Sequence, residues 1–118
     1  MIFYYVEPEK ENAMKAKDYV ERFRAEGSTV QALAAVIGDM FVEVRDIGKL
    51  RHVSTDAGLL SILDEMDQKF QAFFHLTGGA LSDGSSMRKD AFGRMLLLKM
   101  PDIFYAWNRQ KGGRLLAS

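Results

Sequence analysis

Cysteine is missing from the 118-residue chain. That absence removes disulfides, thiolate nucleophiles and cysteine-ligated zinc or iron–sulfur clusters in one step. Proline is nearly missing too, with only Pro8 and Pro101 interrupting the sequence. No apolar run approaches the roughly 20 residues that a membrane helix needs, so no membrane association is expected. The amino-terminal stretch lacks a basic n-region, a long apolar core and a small-residue cleavage site, which predicts a cytoplasmic protein. Sixteen basic side chains balance sixteen acidic ones. A neutral total argues against a generic polyanion binder.

The balance is not local. Residues 1–26, 27–86 and 87–118 carry net charges of −1, −4 and +5. Such a split can orient a partner, pair two subunits, or lay the basic end of one fold against its acidic middle.

What the chain has in quantity is apolar side chains at helical spacing. Ala13, Ala16, Tyr19, Val20 and Phe23 predict a first helix from about Pro8, ended by Gly27. Ser28-Thr29-Val30-Gln31 fits a capping box, and a long second helix follows through Leu33, Ile37, Met40, Val44 and Ile47 to about His52. Gly38 and Gly48 within it suggest close helix contacts. Ser54, Thr55 and Asp56 are candidate caps for a third helix carrying Leu60, Leu63, Met66, Phe70, Phe73 and Phe74, the strongest pattern in the chain. Residues 77–86 are dense in turn formers and predict a flexible loop. Ser85 or Ser86 would cap a fourth helix through Met87, Phe92 and Leu96, broken at Met100-Pro101. A last helix runs from Asp102 to Gly112-Gly113, before a frayed tail over residues 112–118.

The expected architecture is therefore one all-α domain spanning residues 1–118, a four- to five-helix bundle whose second and third helices pack antiparallel. Ile2-Phe3-Tyr4-Tyr5-Val6 stands apart as a short extended arm over residues 1–7, with no second strand in view.

Four constellations bear on function. Glu43 and Asp46, with Asp64 and Asp67, place carboxylates on single faces of two facing helices, faintly like the paired acidic spacing of all-helical metal-dependent nucleotide hydrolases. Interspersed Arg45, Lys49 and Lys69 fit an ordinary solvated face instead. Gly79-x-x-x-x-Gly84-Ser85-Ser86 has the glycine spacing of a phosphate loop, but Ser85 stands where the lysine should be. His52 and His75, the only imidazoles, show no metal-helix or triad spacing. Arg88, Lys89, Arg94, Lys99, Arg109, Lys111 and Arg114 join Phe104, Tyr105 and Trp107 in a basic, aromatic carboxyl-terminal third, a combination that can stack bases and hold phosphates.

No catalytic motif and no cofactor is expected. The favoured reading is a non-enzymatic interaction module, an adaptor, assembly factor or inhibitor, whose partner is another protein or a second copy in a homodimer. Its expected contacts are Ile2, Phe3, Tyr4, Tyr5, Phe104, Tyr105, Trp107 and Arg109, with Met14, Met87 and Met100 as further surface residues. Nucleic-acid binding by the basic third and metal-dependent nucleotide hydrolysis are the alternatives.

Overall fold

The computed structural model describes residues 15–53 and 55–115, without the side chain of Asp56. The arm at Ile2 to Val6, the helix start at Pro8, Ala13, Met14, Ser54 and residues 116–118 lie outside the described residues. Five helices make up the fold: α1 (Ala16–Ala25), α2 (Val30–Leu50), α3 (Asp56–Thr77), α4 (Ala91–Lys99) and α5 (Pro101–Gln110). The all-α expectation holds, with a single isolated bridge between Ala80 and Ser86 as the only β pairing among the described residues.

Local chemistry sets the boundaries. At the start of α1 the Asp18 carboxylate accepts a hydrogen bond from the Lys15 backbone N–H at 3.0 Å, satisfying a donor that the helix itself leaves over. Gly27 and Ser28 both adopt positive φ, 92° and 55°, and so reverse the chain within two residues. Because Ser28 is spent on that turn, Thr29 caps α2, its hydroxyl accepting from Ala32 N at 3.0 Å. Thr55 caps α3 in the same way through Gly58 N at 3.2 Å.

Three helices form the first layer. Arg51 meets Glu65 at 2.7 Å and Lys69 approaches Glu43 at 3.8 Å, so residue numbers fall along α2 as they rise along α3, the antiparallel order expected of them. Tyr19 donates to Glu43 and Arg22 pairs with Asp39, which sets α1 antiparallel to α2 and alongside α3. Gly48 is buried, and a Cβ there would sit 3.8 Å from Ile62 Cδ1, so it does mark the α2–α3 contact. Gly38 faces open space instead.

The α4–α5 hairpin closes the core from the other side. Aromatic rings run unbroken across the molecule: Phe23 to Phe73 at 5.3 Å between centroids, Phe73 to Phe70 at 5.8 Å, Phe70 to Phe92 at 6.4 Å and Phe92 to Trp107 at 5.9 Å. Phe41 of α2 joins at Phe92, 4.9 Å away. Phe92 thus touches rings from α2, α3 and α5, and it is fully buried. Each such ring pair adds about 0.5–1.5 kcal/mol beyond area burial.

Two sequence expectations are corrected here. The fourth helix starts at Ala91, not at Ser85 or Ser86, because the preceding residues are held extended: Met87 N donates to Gly79 O at 2.8 Å and Leu81 N to Ser85 O at 3.0 Å. Leu81 and Met87 are both buried, which anchors residues 77–86 to the core and removes Met87 from the surface contacts. Gly112 and Gly113 take φ of 71° and 78°, and the Asn108 side-chain carbonyl accepts from Leu115 N at 3.1 Å, folding the chain back across α5.

Truncating Phe92 to alanine should cost about 3–5 kcal/mol in urea unfolding, whereas Leu98→Ala, on an exposed position, should stay within about 0.5 kcal/mol. Equal losses from the two would refute the assigned core.

Candidate functional site

The segment from Arg88 to Met95 lies between two openings in the surface, and both are built from side chains that the fold positions for its own reasons. Asp90 occupies the N-cap of α4, its backbone carbonyl accepting from Arg94 N at 3.0 Å, but its side chain makes no cap bond because two arginines take the carboxylate. Arg88 Nε donates to Oδ1 at 3.0 Å and Arg94 Nε to Oδ2 at 2.9 Å. Burial pushes the Asp90 carboxyl up, but the two guanidinium groups outweigh it and hold the group below the usual carboxylate range. One carboxylate facing two guanidiniums leaves this clamp with a net positive charge.

On one side of the clamp is an apolar groove of about 360 Å³. Val30, Leu33 and Ile37 of α2 form one wall, Ala91 and Met95 of α4 the other, and Arg88 and Arg94 stand on its edge. Leu81 and Met87 close its end, so the pinned 77–86 segment is what shapes it. Val30 remains 53% exposed, an unusual position for a valine at the mouth of an otherwise apolar trough.

On the other side is a polar cleft of about 530 Å³ between α3, α4 and the folded-back residues 112–115. Asp67 and Gln71 line it from α3, Arg88 and Lys89 from the segment before α4, and Arg114 and Leu115 from the chain's last turn, with Trp107 beneath. Gln71 is the organising residue. Its Nε2 donates to Lys89 O at 3.0 Å and lies 3.5 Å from Asp67 Oδ1, tying two walls together. Desolvation raises the Asp67 carboxyl above its ordinary value, against the lowering influence of Gln71 and Lys111, and the nearby Asp64 charge adds to the rise.

The expected site residues are distributed as follows. Arg88, Lys89 and Arg114 do converge, on the polar cleft. Lys111 is drawn to Asp64 at 2.9 Å, while Lys99 and Arg109 stand exposed away from it. Phe104 and Trp107 are core residues with no face for a partner or a base, and only Tyr105 of that trio is exposed. They entered the interior because α5 must bury one stripe against Phe92 and α3. Ile2, Phe3, Tyr4 and Tyr5 belong to the arm outside the described residues.

The carboxylates expected for a metal are engaged separately. Glu43 accepts from Tyr19 and faces Lys69, Asp46 is exposed beside Arg45, and Asp64 accepts from Trp107 Nε1 at 2.6 Å. Among the described residues no group of three or more potential ligands could hold a metal ion. The glycine-spaced segment at Gly79 to Ser86 carries Asp83, which accepts from Ser85 N at 2.9 Å and from Ser85 Oγ at 2.5 Å. Those bonds hold Asp83 below the usual carboxylate range, and a carboxylate there repels phosphate. His52 and His75 are exposed at helix ends.

Gln71 and Gly93 were not foreseen as lining residues. Gln71 stands four positions after Asp67 on one helix face, a spacing that allows the observed approach but is too common to single out. No protein-family model matches the chain, and no curated protein or solved structure is significantly similar to it. Among the described residues no helix is long and apolar enough to cross a membrane.

Asp67 supplies a pH test. A carboxyl raised on folding binds its proton more tightly in the native state, so its ionisation weakens the fold as pH rises from below its unfolded value of 3.8 through the higher folded value. Asp67→Asn should therefore raise the melting temperature at pH 7 and leave it unchanged near pH 3. A lower melting temperature at pH 7 would contradict the assigned desolvation.

Proposed function

We propose that the protein is a non-enzymatic interaction module, an adaptor, assembly factor or inhibitor, that seats an amphipathic helix of another protein in the groove between α2 and α4. One observation carries the reading: a nearly wholly apolar trough with arginines on its edge. Apolar surface of this kind is stabilised by covering it, at about 25 cal/mol per Å² removed from water. Helix-in-groove recognition places i, i+4 and i+7 side chains of the incoming helix in such a trough.

The edge names the partner's chemistry. Arg88 and Arg94 share the single Asp90 carboxylate, so an incoming helix flanked by acidic residues completes the charge balance while a basic one is repelled. Both walls belong to helices packed through the rings around Phe92, Phe41 on α2 and Phe92 itself on α4. A preformed trough costs little ordering on binding.

Two designed amphipathic peptides test this, each with leucines at i, i+4 and i+7, one flanked by glutamates and the other by lysines. In fluorescence anisotropy the glutamate peptide should bind about tenfold more tightly or better, a difference of about 1.4 kcal/mol. Ala34→Arg, at the exposed lip of the groove, should abolish binding, and Arg94→Glu should reverse the preference. Equal affinity for both peptides would overturn the proposal. So would a dimer in sedimentation that Ala34→Arg dissolves, which would assign the groove to a second copy of the chain.

A further inference from the structure

The chain itself carries a segment whose chemistry matches the groove between α2 and α4. Ile2-Phe3-Tyr4-Tyr5-Val6 is an apolar run that the sequence reads as an extended arm, and Glu7, Glu9 and Glu11 follow it with only Lys10 among them as a basic residue. An arm of this composition has apolar surface to cover and backbone groups to pair. Among the described residues no strand offers it an edge, since the Ala80–Ser86 bridge is the only β pairing.

The position of α1 puts the groove within the arm's reach. Because Tyr19 meets Glu43 and Arg22 meets Asp39, Lys15, one turn before Tyr19, stands near the level of Ile47 on α2. Lys15 is the N-cap of α1, with extended backbone at φ −89° and ψ 164° and its N–H held by Asp18, so α1 does not carry the chain further along its axis. From Lys15 back to Val6 the chain can span up to about 30 Å. From Ile47 to Ile37 is only about 15 Å along α2. Ile37 marks the open end of the groove: Ser82 N donates to Ser28 O at 2.8 Å, which places Leu81, and with it the closed end, beside Val30 at the start of α2. Five extended residues, about 16 Å long, suffice to cover the stretch from Ile37 to Val30, itself about 10 Å.

Charge favours the same occupant. Arg88 and Arg94 on the groove's edge share the single Asp90 carboxylate, and the glutamates that follow Val6 bring the opposite sign. We propose that residues 2–6 of the same chain cover the α2–α4 groove, with Glu7 and Glu9 towards its arginines, so that a partner helix enters only by displacing them. This regulation rests on the reading of the groove as a docking site. A segment on so short a tether competes at an effective concentration on the order of millimolar, so weak contacts suffice to cover the trough. The partner's apparent affinity then falls by the fraction of molecules whose groove is uncovered.

Since the chain has no cysteine, two introduced ones report the contact without background. A disulfide forms only where the two Cα atoms come within about 7 Å. Tyr4→Cys with Ala34→Cys, at the groove's lip, should close an intramolecular disulfide under mild oxidation at least about tenfold faster than Tyr4→Cys with Leu98→Cys, at an exposed apolar position outside the groove. In the full chain Phe3→Asp should raise the affinity of the glutamate-flanked peptide by about fivefold or more. Equal closure rates, or disulfide-linked dimers in place of the intramolecular bond, would overturn the proposal. Unchanged peptide affinity in Phe3→Asp would overturn it too, while leaving the docking reading intact. Fast closure at Ala34 with neither peptide binding even to Phe3→Asp would sustain the cover and refute the docking reading alone.

Discussion

The packing of Phe92 against rings from three other helices is the contact on which the rest of the structure depends. Phe92 is the one ring that α4, only nine residues long, contributes to the core, and Leu96 is the other side chain of that helix buried as deeply. A helix of that length is not stable alone in water and takes its stability from burial. Phe92 supplies the burial, and Trp107 and Phe104 of α5 extend it, with Gly93 letting both rings approach the α4 backbone. The position of α4 then determines everything around it: the groove towards α2, the cleft towards α3, and the arginine clamp that divides them.

Charge is arranged around this aromatic interior and not within it. Asp64, for instance, takes the indole N–H of Trp107 and the Lys111 ammonium on one oxygen, satisfying a polar group that α5 would otherwise bury without a partner. Tyr19 is resolved likewise: its ring enters the core and its hydroxyl donates to Glu43, with burial and that carboxylate both pushing the phenol far above its ordinary range. The acidic middle and basic end of the chain therefore meet partly inside the fold, through Asp64 and Lys111. The remaining positive charge of the carboxyl-terminal third faces outward, at Lys89, Lys99, Arg109 and Arg114 among others.

The helices were legible in the sequence because each buries one stripe, and a stripe leaves a period of three to four in the apolar residues. Phe70 and Phe73 on α3 and Ile37, Met40 and Val44 on α2 are buried as that period requires. The start of α4 was not legible, since Ser85 and Ser86 are good caps in isolation; the backbone bond from Met87 to Gly79 and the burial of Leu81 and Met87 prevail, and both are tertiary. The site was legible only in part. Arg88, Lys89 and Arg114 stood out as a basic cluster, but Gln71 joins it through its bond to Lys89 O and Arg114 through the fold-back at Asn108, contacts between segments whose spacing carries no periodic signal. Trp107 and Phe104 were misread as surface anchors because aromatic residues build interfaces and cores with the same chemistry.

Native-state hydrogen exchange measures the dependence on Phe92 most directly. If the ring contacts hold the α4–α5 hairpin to α3, the central amides of α3, α4 and α5 open together, at one shared free energy equal to that of global unfolding. Exchange from α4 and α5 at a free energy well below that of α3, as a unit that detaches while the three-helix layer stays closed, would contradict it.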